Sequence, residues 1–302
     1  MQTFYSHGKL LISAEYAVLD GALALALPTK FGQSLSVEST NENNILWKSI
    51  SNEGVVWFEA EFTIAAALKI STTNTSNIAV RLVQVLEALQ QLNPTLFDTH
   101  KGYTLTSTLE FPENWGLGSS STLINNLAQW AQVDAFKLLE LTFGGSGFDI
   151  ACAQQDSGIL YQLKDNKPTV KPVGFSPPFT DALFFVHRNQ KQNSRDGITS
   201  YKALTADQSL DFTSLNSLTL DFLNCTDLKT FESLIEQHER YISTLIQQPP
   251  LKEALFSDYE GAIKSLGAWG GDFFLATGNA EAMDYFKSKG YTTVVPYSEM
   301  IL

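Results

Sequence analysis

Phe111-Pro112-Glu113-Asn114-Trp115-Gly116-Leu117-Gly118-Ser119-Ser120-Ser121-Thr122 is a segment in which two glycines and four hydroxyl side chains fall within residues 116–122. A β-rich run precedes it, and a helical spacing of apolar residues begins at Leu123. Glycines allow a close backbone approach, and the free N–H groups of a helix N-terminus attract negative charge. The order of strand, glycine turn and helix therefore predicts an anion-binding loop. Ser119 or Ser120 could add a hydroxyl to a phosphate or a magnesium ion, although an ordinary serine N-cap would explain the same residues.

The composition is that of a soluble globular protein with enough apolar residues for a hydrophobic core. Of the 302 residues, 44% are hydrophobic and 17% are charged. At roughly 150 residues per domain, this length favours two lobes or one large domain. The 20 Lys and Arg residues against 32 Asp and Glu residues give a net charge of −12, whereas a general nucleic-acid binder needs a basic surface. A small anionic ligand is still compatible, because a few cations in a cleft can override the overall charge.

Cysteine usage and the lack of long apolar runs indicate the compartment. Cys152 and Cys225 are the only cysteines, so neither a disulfide framework nor a four-cysteine zinc site is available. The first residues do not form a signal peptide, and the longest apolar candidate, residues 22–27, ends before Pro28. We therefore expect a cytoplasmic protein that binds neither nucleic acid nor membrane. The sequence leaves a homodimer open.

Residue periodicity predicts a mixture of strands and helices, and hence an α+β or α/β protein. Strands are predicted at residues 9–12, 16–19, 22–27, 33–38, 158–163, 182–186, 273–277 and 291–295. Helices are predicted at residues 78–92, 228–245, 251–264 and 281–289. A hairpin is predicted around residues 51–54. Residues 165–178 contain four prolines and are the candidate boundary between two lobes.

Four motifs follow one another along the chain, whereas the P-loop and the protein-kinase motifs are absent. They are SHGKLLISAEYAVL at residues 6–19, PENWGLGSSS at 112–121, GSGFD at 145–149 and GAWGGD at 267–272. In this order they resemble the motifs of the GHMP kinases, named for galactokinase, homoserine kinase, mevalonate kinase and phosphomevalonate kinase. The third motif is most similar to the branch of mevalonate and phosphomevalonate kinases.

The resemblance implies a two-lobed α+β (α/β) fold with the active site between the lobes. An N-terminal ATP-binding lobe like domain 2 of ribosomal protein S5 would cover residues 1–172. A ferredoxin-like lobe would cover residues 173–302. The implied activity is transfer of the γ-phosphate of ATP, with Mg²⁺, to a small anionic acceptor. Mevalonate or phosphomevalonate is the expected acceptor, which would place the protein in isoprenoid precursor synthesis.

Two residues would carry the chemistry by this resemblance. Asp149 matches the aspartate that takes the proton of the acceptor hydroxyl or orients it. Lys9 matches the lysine that balances the charge of the transferring phosphoryl group. From the residues alone, Asp149 could instead cap the helical turn that begins at Ile150. Lys9 could likewise be a solvated lysine at the start of a strand.

The resemblance also implies binding residues. Those expected to hold the nucleotide are Pro112, Gly116, Leu117, Gly118, Ser119, Ser120 and Ser121. Those expected to bind the acceptor are Glu15, Tyr16, Ser146, Gly147, Lys191, Ser194, Arg195, Gly267, Ala268 and Gly270. Ser120 and Glu140 are the expected Mg²⁺ ligands, but the glutamate of the family falls near Leu138 or Leu139 here, and Glu140 could be a surface residue. The run at 187–195 could bind an anion through Arg195 or be a solvated loop.

Three positions depart from the motifs. His7 replaces a proline, Ala14 replaces a glycine of the first motif, and Trp269 replaces a glycine of the last motif. Trp269 would fill space near the phosphates or the acceptor, and it could therefore change specificity or indicate lost activity. The alternative function is a degenerate protein of the same fold that binds a ligand or partner without phosphoryl transfer.

Overall fold

Strands and helices alternate through the computed structural model, which describes residues 1–65, 69–97, 101–190, 194–269 and 271–302, without the side chains of Ser194 and Arg195. The strands are β1 (Gln2–Leu11), β2 (Ala24–Thr40), β3 (Asn44–Ile50), β4 (Val56–Ile64), β5 (Ile70–Ser71), β6 (Gly102–Leu109), β7 (Ile159–Lys164), β8 (Lys167–Pro172), β9 (Leu183–His187), β10 (Ile263–Ser265), β11 (Phe273–Thr277) and β12 (Val294–Pro296). The helices are α1 (Asn77–Leu92), α2 (Ser119–Ala131), α3 (Ala135–Thr142), α4 (Phe148–Ala153), α5 (Ser194–Thr205), α6 (Thr213–Asn224), α7 (Leu228–Ile246), α8 (Leu251–Leu255), α9 (Ala280–Ser288) and α10 (Tyr297–Met300). The predicted mixed α/β class is confirmed. None of the helices in the described ranges is long and apolar enough to cross a lipid bilayer.

The chain contacts divide into two compact units. The first unit consists of Met1–Gly8, Phe31–Glu113 and Gly118–Gln154. The second unit consists of Lys9–Lys30, Asn114–Leu117 and Gln155–Leu302. The predicted lobe boundary at residue 172 stays a prediction.

The sheet of the first unit has the strand order β5-β4-β3-β6-β2. Residues 33–40 of β2 pair antiparallel with β6, and β6 runs parallel to β3. β3 and β4 form the predicted hairpin, which is confirmed. In its turn, the Ser51 backbone N–H donates to the Val55 carbonyl at 2.9 Å.

Helix α1 shows how the sequence sets a helix of the first unit. The Ser76 side chain accepts a hydrogen bond from the Ala79 N–H, so it caps the helix N-terminus. The helix ends at Leu92, two residues before Pro94, because proline is disfavoured in a helix interior. The predicted helix at residues 78–92 is therefore confirmed. Its buried apolar face belongs to the core of the unit through Leu82, Val85, Leu86 and Leu89.

The second unit contains an antiparallel sheet with the order β10-β11-β9-β12. Phe184 and Val186 of β9 and Phe274 of β11 share a core with Leu251 of α8. The predicted strands at 182–186 and 273–277 and the helix at 228–245 are confirmed. Residues 24–26 of β2 and the hairpin of β7 and β8 also belong to this unit.

The strand predicted at residues 16–19 is wrong. Ala17–Asp20 forms a short 3₁₀-helix, and Tyr16 before it has a φ of 58°. The Leu19 N–H donates to the Tyr16 carbonyl at 2.8 Å. This tight turn replaces the extended backbone that the apolar residues suggested.

The helix predicted at residues 251–264 is also wrong beyond its first part. Helix α8 ends at Leu255, and residues 263–265 form β10 at the edge of the sheet. A Cβ atom at Gly261 would overlap the Thr277 carbonyl, so the chain passes against β11 before β10 begins. Tertiary pairing therefore overrides the helical pattern here.

Candidate functional site

Three of the four motifs contribute a residue to one junction in the second unit. The Lys9 N–H donates to the Leu117 carbonyl at 2.9 Å, and its Nζ donates to the Gly116 carbonyl at 3.1 Å. Gly116 has a φ of 64°, and a Cβ atom there would overlap the carboxylate of Asp272. Glycine is required at this position both for its backbone conformation and for the close approach of Asp272. Residues from the first, second and last motifs therefore meet at Gly116.

The strands β9 and β11 hold the segment that leads into this junction. His187, the last residue of β9, has its Nε2 atom 2.9 Å from the Asn114 carbonyl. The ring of Phe273, at the start of β11, lies edge-on to the Trp115 ring with centroids 5.3 Å apart. The His187 ring also contacts Phe273, at 5.0 Å between centroids. Two strand ends therefore fix residues 114–115 immediately before the glycines.

The start of helix α2, in the first unit, presents a bare N-terminus. Its N-cap is Gly118, with a φ of 93° and no side-chain cap, and its first backbone bond runs from Thr122 to Gly118. The alternative of a serine N-cap is therefore wrong. Ser121 is buried and its hydroxyl donates to the Gly118 carbonyl at 2.8 Å, whereas Ser119 is half-buried and Ser120 is exposed. Pro112 precedes this segment and is half-buried.

Buried amides anchor helix α2 within the first unit. The Asn126 side chain accepts from Ser6 Oγ at 2.7 Å and donates to the Gln33 carbonyl at 2.8 Å. Asn125 donates to Ser6 Oγ at 2.9 Å, and both asparagines are fully buried. Thr122 Oγ1 donates to the Gln33 side chain at 2.5 Å. Polar partners on β1 and β2 thus fix the position and rotation of the helix, and with them its N-terminus.

Asp149 lies in the first turn of α4, also in the first unit. The N-cap of α4 is Gly147, with a φ of 83°, so the alternative in which Asp149 caps the helix is wrong. The half-buried carboxylate accepts a hydrogen bond from the Ile150 N–H at 3.1 Å. Ser146 and Gly147 are buried beside it in sequence. A carboxylate acting as a base needs such partial access, because a fully buried one cannot reach an acceptor.

Glu15 of the first motif lies in a buried cluster of the second unit. Its Oε1 atom accepts from Lys264 Nζ at 2.5 Å, and Lys264 Nζ also lies 3.6 Å from Glu239. Burial is the main cause that raises the pKa of Glu15, and the nearby Lys264 opposes it. Burial likewise raises the pKa of Glu239 to about 7.

His238 completes this cluster as a neutral imidazole. Burial, helped by the positive charge of Lys264, lowers the pKa of His238 well below its ordinary value. Its Nε2 atom accepts from the Ala14 N–H at 3.0 Å and lies 3.4 Å from Glu15 Oε2. Because that nitrogen is an acceptor, this contact is not an ion pair. The role of Glu15 toward an acceptor stays a prediction, and within its own unit the carboxylate already has a structural partner.

Tyr16, the neighbouring predicted acceptor contact, is also mostly buried in the second unit. Its ring stacks on Tyr201 with centroids 5.7 Å apart. The Tyr201 hydroxyl donates to Asp20 at 2.5 Å. Burial is the main cause that raises the pKa of Tyr16 to about 12, so the phenol stays protonated. These contacts hold Tyr16 beside the 3₁₀-helix.

The predicted magnesium ligands, both in the first unit, are exposed: Ser120 on α2 and Glu140 on α3. Within the described ranges, no three or more His, Cys, Asp or Glu side chains form a group that could hold a metal ion. Mg²⁺ commonly keeps several waters and binds one or two protein carboxylates plus substrate phosphates. Two exposed oxygen donors therefore suit an ion that keeps most of its waters rather than one enclosed by the protein.

The last motif forms a left-handed turn before β11. Gly267 has a φ of 59° and Trp269 has a φ of 49°, and the Trp269 side chain is buried. Ala268 between them is half-buried. Gly270 and Lys191 lie outside the described residues, as do the side chains of Ser194 and Arg195.

Sequence reasoning missed two residues as site residues: Asp272, which contacts Gly116, and His187, which contacts the segment before it. Asp272 stands in the last position of the fourth motif, which was a usable signal. His187 was noted only as the start of a cation-rich run. Its contact with Asn114 depends on the pairing of β9 with β11, which no local pattern predicts.

No family model and no curated protein matches the sequence. Solved structures do match the fold over nearly the whole chain. Streptococcus pneumoniae phosphomevalonate kinase, in complex with phosphomevalonate and AMPPNP, aligns with a TM-score of 0.69 at 18% identity, covering 96% of each chain. L. major mevalonate kinase, in complex with R-mevalonate, aligns with a TM-score of 0.65 at 15% identity, covering 97% of this chain and 94% of that one. Lactococcus lactis galactokinase, complexed with galactose, gives 0.66 at 15% identity, covering 97% and 91%.

These structural neighbours are GHMP kinases, so the chain has the GHMP kinase fold. The resemblance drawn from the four motifs is thereby confirmed at the level of the fold. The identity of 13–18% carries no assignment of substrate.

Proposed function

We propose that this protein is an ATP-dependent kinase that transfers the γ-phosphate to a small anionic acceptor, mevalonate or phosphomevalonate. The observation that carries the proposal is the junction at Gly116, where Lys9, Gly116 and Asp272 of three separate motifs are in contact. A glycine at this convergence leaves the backbone open to close approach by a ligand. The kinase fold supports the same reading.

The bare N-terminus of α2 supports nucleotide binding. The N–H groups of Ser119, Ser120 and Ser121 precede the first backbone bond of the helix, and the N-cap residue, Gly118, has no side chain that could cap them. Phosphate oxygens are suitable acceptors for such groups, and the helix dipole favours their charge. ATP, when bound, supplies the transferable phosphoryl group, and Mg²⁺ neutralises part of its charge. Ser120 and Glu140 are the residues that we propose for the magnesium ion.

Asp149 and Lys9 are proposed to act on the reacting groups. We assign to Asp149 the removal of the proton from an acceptor hydroxyl, or the orientation of a phosphate acceptor. General-base assistance of this kind contributes about 10²–10⁴-fold. Lys9, which is fixed by its two bonds to the glycine segment, would stabilise the charge of the transferring group.

The experiment that tests the proposal is ATP consumption with a panel of acceptors. The purified chain is incubated with MgATP and mevalonate, phosphomevalonate, homoserine or galactose, and the phosphorylated product is identified by mass spectrometry. Turnover with mevalonate or phosphomevalonate alone is the expected result. Turnover only with another acceptor would overturn the assignment of substrate but not that of reaction type.

The Asp149→Asn variant tests the proposed base. We expect kcat to fall at least about 100-fold because the amide cannot accept the proton, while nucleotide affinity changes little. Asp207→Asn, which removes the same charge from an exposed position, is the matched control. Equal turnover of the two variants would remove Asp149 from this role.

A second candidate is a degenerate protein of this fold that binds a ligand without phosphoryl transfer. The buried Trp269, at a left-handed backbone position where the motif has glycine, favours it. Nucleotide binding without turnover of any acceptor would select this candidate over the kinase.

A further inference from the structure

A cavity of about 220 Å³ lies in the second unit, next to the last motif. The Arg188 side chain, just past the end of β9, and Trp269 of the last motif line it, together with Ser265 of β10. The remaining wall is mostly apolar and comes from α8 and the segment before it, including Pro249, Leu251 and Leu255. Leu255 is 45% exposed, so the apolar wall reaches the protein surface.

The cavity lies on one face of the sheet β10-β11-β9-β12, and the contact between His187 and Asn114 lies on the other face. Side chains alternate along a strand, so Phe184, Val186 and Arg188 share one face. Phe184 and Val186 are in the core that contains Leu251 of α8. His187 points to the opposite face, where it contacts Asn114 and Phe273. The cavity is therefore separate from the segment that leads into the glycines.

Arg188 gives this cavity its chemistry. Its backbone N–H donates to the Asp272 carbonyl at 2.8 Å, which fixes the start of the side chain. Burial is the main cause that lowers the pKa of Arg188, but a guanidinium stays charged at any ordinary pH. The nearby Tyr291 opposes this effect of burial, and within the described residues no carboxylate pairs with the guanidinium. A half-buried cation with five N–H donors and an apolar surrounding is stabilised by a complementary anion.

We propose that this cavity binds a small organic anion, a carboxylate or phosphate monoester with a short hydrocarbon body. The guanidinium of Arg188 binds the anionic group through paired N–H donors, as arginine does with carboxylate and phosphate. Trp269, Leu251 and Leu255 pack against the hydrocarbon. Sites for drug-sized ligands typically have volumes of about 300–1,000 Å³. This cavity is smaller, so the ligand is small. This site goes beyond the proposed kinase activity and requires neither nucleotide nor phosphoryl transfer.

The test uses butyrate and butyl phosphate as probes, with butylammonium as the cationic comparison. Binding to the full chain without nucleotide is measured by titration calorimetry. We expect both anions to bind saturably and butylammonium not to bind. The tighter of the two anions identifies which head group the site prefers.

Two variants place the binding in this cavity. Arg188→Gln removes the charge, and we expect anion affinity to fall at least about tenfold, the loss of a charge-assisted hydrogen bond. Arg240→Gln is the matched control, because Arg240 is exposed on α7 of the same unit and its guanidinium lies 3.5 Å from Glu236 on the protein surface. Its affinity should equal that of the wild-type protein.

Ala254→Trp provides a variant that keeps every charge. Ala254 is an exposed residue of α8 that lines the cavity, so an indole there should fill the space and abolish binding while circular dichroism stays unchanged. The proposal is overturned by the absence of saturable binding to the wild-type protein. It is equally overturned if Arg188→Gln or Ala254→Trp binds both anions with wild-type affinity.

Discussion

At the scale of single residues, the junction at Gly116 depends on the absence of a side chain. Lys9 holds the Gly116 carbonyl on one side, and the Asp272 carboxylate occupies the space that a Cβ atom would need. The backbone is at a φ of 64°, which disfavours residues with a Cβ atom. Any substitution here is therefore destabilising for two independent reasons, the left-handed backbone and the overlap with Asp272.

Replacement of Gly116 by alanine should destabilise the protein by more than the left-handed backbone strain alone would. The strain costs about 1–2 kcal/mol, and displacement of Asp272 adds to it. We expect Gly116→Ala to lower the free energy of unfolding by more than this and to weaken the nucleotide binding that we propose. Urea unfolding and equilibrium nucleotide binding would measure both effects.

Gly54→Ala is the matched control for this prediction. Gly54 has a φ of 78° and no atom within 4 Å of the added Cβ, so it carries the strain without the overlap. If the two alanine variants unfold at the same urea concentration, the contact with Asp272 contributes nothing.

Ala14 shows the opposite case, a residue with a side chain where the family motif has glycine. It is fully buried and has a φ of 66°. Its N–H donates to His238, so the backbone cannot relax to another conformation without losing that bond. The sequence departure thus leaves left-handed strain in the first motif.

Ala14→Gly should therefore lower the free energy of unfolding by less than an ordinary alanine-to-glycine change does. Relief of about 1–2 kcal/mol of strain offsets the entropy cost of about 1 kcal/mol for glycine. Ala128→Gly, at a buried position inside helix α2, has no strain to relieve and is the comparison. Urea unfolding should show Ala14→Gly to be the less destabilising variant, and the reverse order would contradict the strain argument.

At the scale of elements, helix α7 and strand β10 form a buried charge cluster with the first motif. Lys264 has one positive charge and faces two carboxylates, Glu15 at 2.5 Å and Glu239 at 3.6 Å. His238 is neutral because burial disfavours its charged form. A single lysine cannot neutralise both carboxylates, so one of them retains a proton near neutral pH.

The raised pKa of Glu239 predicts how stability changes with pH. The unfolded chain loses the Glu239 proton near pH 4.5, whereas the folded chain keeps it up to about pH 7. The unfolded state therefore binds fewer protons between these values, and this group lowers stability as the pH rises through the window. His238 has the opposite effect, because its depressed pKa lowers stability as the pH falls below about 6.5.

Glu239→Gln separates the two contributions. The amide can still bond to Ser265, which contacts Glu239 through its N–H at 3.1 Å and its hydroxyl at 2.8 Å. We expect the variant to gain stability relative to the wild-type protein as the pH rises from 4.5 to 7, measured by urea unfolding at several pH values. Glu236→Gln, on the exposed side of the same helix, should show no such trend. A constant difference for Glu239→Gln across this range would show that Glu239 is ionised in the folded state.

The elements that could be predicted are those with a local cause. Helix α1 follows from the Ser76 cap and the proline after it, and α7 from the Asp227 cap and its apolar stripe. The predictions for residues 16–19 and 251–264 were wrong, because the left-handed backbone of Tyr16 and the close approach at Gly261 are set by tertiary contacts.

The candidate site was likewise predicted only where its residues form a local motif. The glycine loop and Asp149 were visible as motifs, but the contacts of His187 and Asp272 require strand pairing between distant segments.

At the scale of the whole molecule, the net charge of −12 opposes the approach of any polyanion. The phosphate-binding loop that we propose must therefore act over short distances, through N–H groups and Lys9, against a repulsive long-range field. Added salt screens interactions beyond about 10 Å at 0.1 M and affects contacts at hydrogen-bond distance less. Added salt should therefore weaken the long-range repulsion of a polyanion more than it weakens contacts at hydrogen-bond distance.

This balance predicts an unusual salt dependence for a phosphate-binding protein. We expect the affinity for ATP, at fixed free Mg²⁺, to stay constant or rise when potassium acetate increases from about 10 mM to about 150 mM, because the Debye length shortens from about 30 Å to about 8 Å. Proteins that bind polyanions through a basic surface lose affinity steeply over such a range. Isothermal titration at several salt concentrations would measure the slope, and Lys9→Met should weaken binding at every concentration, because the lost contact is short-ranged. A steep fall in wild-type affinity with added salt would show instead that a long-range positive field draws in the nucleotide despite the acidic composition.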